Sequence, residues 1–343
     1  MISEHQPVGA ARGGTVPTYR ELLERTDAPP GSSWGVFGKG DQLGTLGFIG
    51  AEETRAAASL VRSGRVIDLD YPINTFVPSI AGTRPPTEHH IFANNPNHRD
   101  DWLDAFYLQS TSQIDGLRHM RHPEHGFYGG VPDESVAEGT PDLGIQLVAE
   151  HGVVTRGVLL DLPPFFAATG RTFDTTTNQA VTVADLRGAA EMHGVVLRRG
   201  DVLLMRTGWA GEYLALSPDQ QEHRRRNWGS PGIEQSHPML EFLWDTGVAM
   251  LASDNAGVEA FPVDPDSGFV DPLEPLPGRG PSHNGMLHRP LIALLGLYLG
   301  ELWRLDELAQ ACSDAGRHEF LLTAKPLAVT GGVGSPPNAM AIL

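Results

Sequence analysis

The chain has 343 residues, 40% of them hydrophobic, with 42 acidic against 25 basic side chains and a formal net charge of −17. An acidic excess of that size excludes a nucleic-acid binder, because phosphate contacts need Lys and Arg in surplus, and no stretch approaches the ~18 uninterrupted apolar residues of a membrane span. With 40 Gly and 27 Pro the backbone turns often, which favours a loop-rich α/β chain over a bundle, while the single Cys312 and the lack of an apolar leader point to a reducing, cytoplasmic setting.

Residues 1–16 are polar and Gly-rich and read as a flexible N-terminal arm, so the folded domain is expected over 17–343. "TYRELLERTD" follows as a helix, then "AEETRAAASLVRSG" as a second one, with Glu52 and Glu53 at its positive end and Gly64 as its stop. "RVIDLDYPI" alternates as a strand closed by Pro72. Residues 78–101, rich in Pro and Gly and carrying His89, His90 and His98, are too irregular for a regular element and read as a lid. "GVLLDLPPFF" and "DVLLMRTGW" are buried strands on either side of a helix from Val183 to His193, stopped by Gly194. "SHPMLEFLWDTGVAMLASDN" is a helix, a break at Gly247 and a strand ending in a polar turn over 253–255. Residues 262–282 form a Pro/Gly/Asp-rich excursion over the surface. "HRPLIALLGLYLGELW" is a helix begun at Pro290 and ended at Gly296, with a short strand behind it. The final "EFLLTAKPLAVTGGVGSPPNAMAIL" is two strand-like runs about a turn, apolar to the last residue, which places the C-terminus in the core.

Chemistry concentrates in "QSTSQIDGLRHMRHPEHGFYGG", residues 109–130. If 109–115 is extended, its period of two puts Gln109, Gln113 and Asp115 on one side, and a turn at Gly116 brings His119 back toward them. A carboxylate with imidazole and amide oxygens can hold a divalent cation, and such an ion lowers the pKa of bound water enough for attack on a carbonyl while a spare His moves protons. The other reading is a hydrogen-bonded polar loop, since the paired Cys or His of a strong zinc motif are missing. Arg118, set among these residues, is the candidate for a substrate carboxylate, whereas Arg206 is expected to pair with an acid. His122 and His125 have the setting of loop histidines, and Asp254 with Asn255 that of a capped turn.

"STSQIDGLRH" resembles the HxxxHxDxPxH signature of the metal-dependent cyclase/kynurenine formamidase-like family, in a subgroup where Gln replaces His. "GDQLGTLGF", "RGVLLDLP", "LRRGDVLLMRTGW", "LHRPLIALLGLYLGELWRLDEL" and "GGVGSPPNAMAI" resemble further family segments, so the likeness runs from about Trp34 onward. The resemblance implies a single α/β domain of the swivelling β/β/α type, with a mixed barrel-like sheet and flanking helices. It places the two signature histidines on Gln109 and Gln113, the aspartate on Asp115, the proton-transfer histidine on His119, and the late metal-binding pair on His288 and Glu301. Gly47 stands where the subgroup commonly has Asn.

The implied activity is metal-dependent hydrolysis of a carbon–nitrogen bond in a small amide or lactam, arylformamidase-like, or of a related cyclic ester. Gln113, Asp115, His288 and Glu301 are the expected ligands of a divalent ion, Mn or Zn; His119 is the general acid and base, and Gln109, Arg118 and His122 face the small-molecule substrate. Loss of both signature histidines favours a mononuclear site. A non-hydrolytic cyclase or dehydratase, and a metal-free binding protein on the same fold, are the alternatives. A homodimer or homotetramer is also implied.

Overall fold

Short apolar runs cut off by Gly, Pro or Asp make short strands, and most of this protein's strands are short. The computed structural model describes residues 15–276 and 282–343, so all but the end of the expected arm, and part of the 262–282 excursion, lie outside the described residues. In chain order the strands are β1 (Val66–Asp68), β2 (Glu88–Asn95), β3 (His98–Asp104), β4 (Gln113–Asp115), β5 (Val153–Asp161), β6 (Ala180–Val181), β7 (Val202–Arg206), β8 (Gly232–Ile233), β9 (Met250–Ser253), β10 (Tyr298–Glu301), β11 (Glu319–Ala324), β12 (Gly334–Ser335) and β13 (Ala339–Ile342). One nine-stranded sheet, in the order β1-β13-β11-β5-β7-β9-β10-β4-β12, is the spine of a single α/β domain and curls into a half-barrel.

Its centre, β5-β7-β9-β10, is parallel, and the flanking strands are antiparallel. Parallel strands covered on both faces read as unbroken apolar runs, and Leu159, Leu203, Leu204 and Leu251 are fully buried here. Each such leucine contributes roughly 1.5–3 kcal/mol by leaving water. The helix Val183–Met192 begins where Thr182 and Asp185 cap each other's backbone and ends before Gly194, which has a left-handed φ of 65°. Helix His237–Asp245 likewise starts on the Ser236 side chain.

The C-terminus is tied in as expected: β13 lies between β1 and β11, and the Leu343 carbonyl accepts the amides of Ser63 and Gly64 at 2.9 and 2.8 Å. That use of residues 63 and 64 explains why the second helix is shorter than its sequence, covering Ala51–Ala58 and stopping well before Gly64. The late helix is present but wound as a π-helix over Arg289–Leu294. At Gly47 a Cβ would come within 2.8 Å of the Phe37 ring, which stacks edge-on to Phe48, so packing takes the space a side chain would need.

Residues 78–101 differ from the expectation of an irregular segment. From Glu88 they form the antiparallel hairpin β2-β3. Periodicity reveals a strand only when one face is covered, and here Ile91, Phe92, Trp102 and Leu103 all stay exposed. Among the described residues no helix is long and apolar enough to cross a membrane.

Candidate metal centre

β4 and β10 are antiparallel neighbours, with Glu301 opposite Gln113 and Leu299 opposite Asp115. Opposed residues of such a pair point the same way, as do residues two apart, so Gln113, Asp115 and Glu301 share one face. The other face is closed by packing. At Gly300 a Cβ would lie 2.7 Å from both Ala252 Cβ and Trp303 Nε1, and that indole donates to the Gln113 carbonyl at 3.0 Å.

His288 enters from the segment before the π-helix. Its Nδ1 bonds to Glu259, a fully buried carboxylate that also accepts the backbone amides of Leu287 and, at 2.8 Å, His288 itself. The ring is thereby turned so that Nε2 lies 3.0 Å from Glu301 Oε1. Asp115, His288 and Glu301 offer ligand atoms that all lie within 4.8 Å of one another. Gln113 Nε2 donates to Glu301 Oε2 at 2.7 Å, while Gln113 Oε1 and Asp115 Oδ2 are buried with no hydrogen-bond partner. A buried oxygen left unpaired costs about 1–3 kcal/mol, and a cation would satisfy both. Three kinds of donor, carboxylate, imidazole and amide oxygen, fit a divalent cation.

His119 sits beside this cluster. Gln109 Nε2 donates to Asp115 Oδ1 and lies 3.0 Å from His119 Nδ1, and His119 Nε2 is 3.9 Å from Asp115 Oδ2. Burial lowers the His119 pKa against the pull of Asp115, so the imidazole is neutral near pH 7. Burial, reinforced by the Asp115 charge, raises Glu301 to about 7. Burial alone would lower His288, but the carboxylates of Glu259 and Glu301 outweigh it and push it well up.

A cavity of about 290 Å³ opens over the cluster, with His119, His288 and Glu301 at its base and Ile80, Trp228 and Phe261 in its walls. Ser79, Ile80, Ala81, Thr83 and Arg84 also line it, so the start of the expected lid meets the site, whereas the histidines of the hairpin do not: His89 pairs with Asp101 and His90 stacks on Trp102.

Gln109, Gln113, Asp115, His119, His288 and Glu301 are thus brought together. Two candidate substrate residues are not. Arg118 is buried and its guanidinium donates to the carbonyls of Ser135, Ala137, Thr140, Asp142 and Gly331; it fastens loops and does not reach the cavity. His122 is also outside the cavity, stacked on His125 with rings 4.7 Å apart, its Nδ1 accepting the amides of Glu124 and His125. Arg206 pairs with Asp161 and Asp306 as the sequence suggests, whereas Asp254 accepts the amides of Thr207 and Gly208 in a turn far along the chain, its own turn being bridged by Ser253. Glu259, His283 and Arg84 escaped the sequence reading; the His283 ring is 5.9 Å from that of His119 and 5.4 Å from that of His288.

A curled mixed sheet whose neighbouring strands present carboxylates beside the imidazole of His288, under a cavity, defines an α/β protein of the cyclase-like, swivelling β/β/α class. The Cyclase family profile matches residues 67–260, and the chain belongs to that family. The crystal structure of a novel cyclase is similar with a TM-score of 0.76 and 29% identity, over 91% of this chain and 99% of that one. Isatin hydrolase A from Ralstonia solanacearum shares the fold at a TM-score of 0.52 and 17% identity, over 81% and 91% of the two chains. So does isatin hydrolase A from Labrenzia aggregata bound to benzyl benzoate, at 0.51 and 17%, over 83% and 94%. No protein with a curated description matches the sequence.

Proposed function

We propose that the protein is a metal-dependent hydrolase acting on the carbon–nitrogen bond of a small amide or lactam, arylformamidase-like, or on a related cyclic ester. The observation that carries this reading is the convergence of Asp115, His288 and Glu301 with two partnerless buried oxygens beneath a cavity that His119 also lines. Structural likeness to isatin hydrolases supports it.

Asp115, His288 and Glu301 would hold the ion, with Gln113 Oε1 beside them. When bound, a divalent cation supplies Lewis acidity toward a carbonyl and a water molecule. With its Nδ1 accepting from Gln109 Nε2, the neutral His119 carries its proton on Nε2 and gives it to the leaving nitrogen, and the acid proton of the new carboxyl group restores the ring. Gln109 keeps that ring in place through its contact with Nδ1. Glu259 keeps the His288 ring turned toward Glu301. The walls of Ile80, Trp228 and Phe261 keep bulk water from the reacting carbonyl.

The test is turnover of a panel of aryl amides, lactams and cyclic esters in isotopically heavy water, with protein purified free of chelator and affinity-tag metal. Solvent oxygen in the product, lost on chelation and restored by Mn or Zn, is the expected result. Turnover without incorporation would replace hydrolysis by a cyclase or dehydratase reaction, and absence of metal from the purified protein would remove the metal.

A further inference from the structure

We propose that Arg84 is the substrate-recognition residue of this cavity and that the substrate is an aryl compound bearing a carboxylate. The inference rests on the hydrolase reading for the reaction and on separate observations for the ligand.

Arg84 belongs to the 79–84 segment and is the one Lys or Arg lining the cavity among the described residues. Arg206 is held between two carboxylates. Arg84, by contrast, makes no ion pair with a carboxylate among the described residues, although acids outnumber bases in the chain by 42 to 25. Its Nη1 donates to the backbone carbonyl of Gln109. A guanidinium carries five N–H donors, so one such bond fixes the group while leaving most of its donors for a ligand.

The bond to Gln109 also sets where the charge lies. The Gln109 side chain touches both Asp115 and His119, so the guanidinium is one residue removed from the reacting centre, and its charge acts on His119 and Glu301. Asp115, Glu301 and Glu259 crowd three carboxylates around that centre. A divalent ion offsets two of those charges, and Arg84 offsets the third. An anionic substrate then meets a neutral site instead of a repulsive one.

The rest of the cavity selects for a ring. Trp228 and Phe261 lie with ring centroids 4.8 Å apart at one wall, and Ile80, Met286 and Leu302 complete an apolar lining. A volume of about 290 Å³ admits one small aromatic system with a short polar substituent. A planar guanidinium fork recognises a carboxylate through two parallel N–H···O bonds. An aryl amide or lactam with a ring carboxylate therefore puts its ring against Trp228 and Phe261, its carboxylate on Arg84 and its reacting carbonyl over the centre.

The experiment compares formanilide with N-formylanthranilate, which differ by the ring carboxylate, on wild-type protein, Arg84→Gln and Arg84→Lys, all loaded with Mn. Gln keeps an N–H for the Gln109 carbonyl but loses the charge. The expected loss in kcat/KM is about 10- to 100-fold greater for N-formylanthranilate than for formanilide in Arg84→Gln, the range for a charge-assisted hydrogen bond. It appears mainly in KM, and Arg84→Lys recovers part of it. Equal losses on both probes would make Arg84 a structural residue and overturn the proposal.

A second arm separates this from failure of the hydrolase reading. Anthranilate and aniline binding is followed by calorimetry with and without Mn, whether or not either formamide turns over. Anthranilate binding that weakens at least about tenfold in Arg84→Gln, with the aniline signal moved less, upholds the carboxylate site even for a protein that does not hydrolyse amides. Anthranilate binding equal in wild type and Arg84→Gln overturns it.

Discussion

Glu259→Gln is the sharpest probe of how the centre is held. The side chain is fully buried, and its carboxylate receives three donors: Leu287 N at Oε2, and His288 N and Nδ1 at Oε1. Glutamine offers one acceptor oxygen and an NH₂ group. If that oxygen serves His288, the NH₂ confronts the Leu287 amide and leaves a buried donor unpaired, at a cost of about 1–3 kcal/mol in stability. If it serves Leu287, the His288 ring loses the acceptor that turns Nε2 toward Glu301. In either case the imidazole is less well oriented and less basic, and metal affinity should fall roughly 10- to 100-fold. At 1.4 kcal/mol per tenfold that is about 1.4–2.8 kcal/mol. Competition for Mn or Zn against a chromophoric chelator reads the affinity, and circular dichroism with a thermal melt reads the fold. A folded variant that binds either ion within about threefold of wild type would show that the His288 ring does not depend on Glu259.

Asp115→Asn should abolish metal binding with an unchanged dichroism spectrum, because the backbone pairing of β4 with β10 and β12 survives while the charge does not; full occupancy in the variant would refute the assignment. His119→Ala should keep the metal and lose kcat by on the order of 10²- to 10⁴-fold, whereas His288→Ala should lose the metal and regain part of its activity in excess ion. Equal metal loss in both would make His119 a ligand. Gly300→Ala forces a Cβ to 2.7 Å from Ala252 Cβ and Trp303 Nε1, an overpacking worth about 1–3 kcal/mol in a denaturant titration; no change in midpoint would mean that Trp303 yields freely. Away from the centre, burial and then the neighbouring His193 push His318 down to about 4, the two rings stacking at 3.9 Å. Its folded pKa lies below the ordinary 6.5, so the unfolded chain binds the proton more readily, and stability should be whole above that value and drain away as pH falls toward 4. His318→Gln should flatten the acid limb of the stability curve, and an unaltered limb would assign it to other groups.

The parts of this protein that could be read from the chain are those whose signal is local. The helix from Val183, stopped by Gly194, is legible within a dozen residues, and the alternation of Gln113 and Asp115 predicts a shared face that β4 provides. The misreadings are where the deciding partner is remote or absent. Arg118 sits among motif residues along the chain, yet its guanidinium is spent on carbonyls as distant as Gly331. Glu259 has no pattern around it, because its role is defined by His288, 29 positions later. The hairpin β2-β3 lacks a covered face and so lacks the alternation that would have disclosed it. Arg84 was hidden for a similar reason: an arginine in a Pro- and Gly-rich run looks like any solvated charge until a cavity is seen beside it.

The antiparallel register of β4 and β10 has a consequence for how this protein can change. Gln113, Asp115 and Glu301 ride on adjoining strands bonded to each other inside the sheet, so their spacing is as stiff as the ladder itself. Arg84 rides on a loop, and loops accept replacement where ladders do not. The metal-binding carboxylates and the 79–84 part of the cavity lining are therefore held by elements of different stiffness. Exchange of residues 79–84 changes the lining of the cavity while the register that spaces Gln113, Asp115 and Glu301 stays as it is, and divergence within the family has the same route open to it.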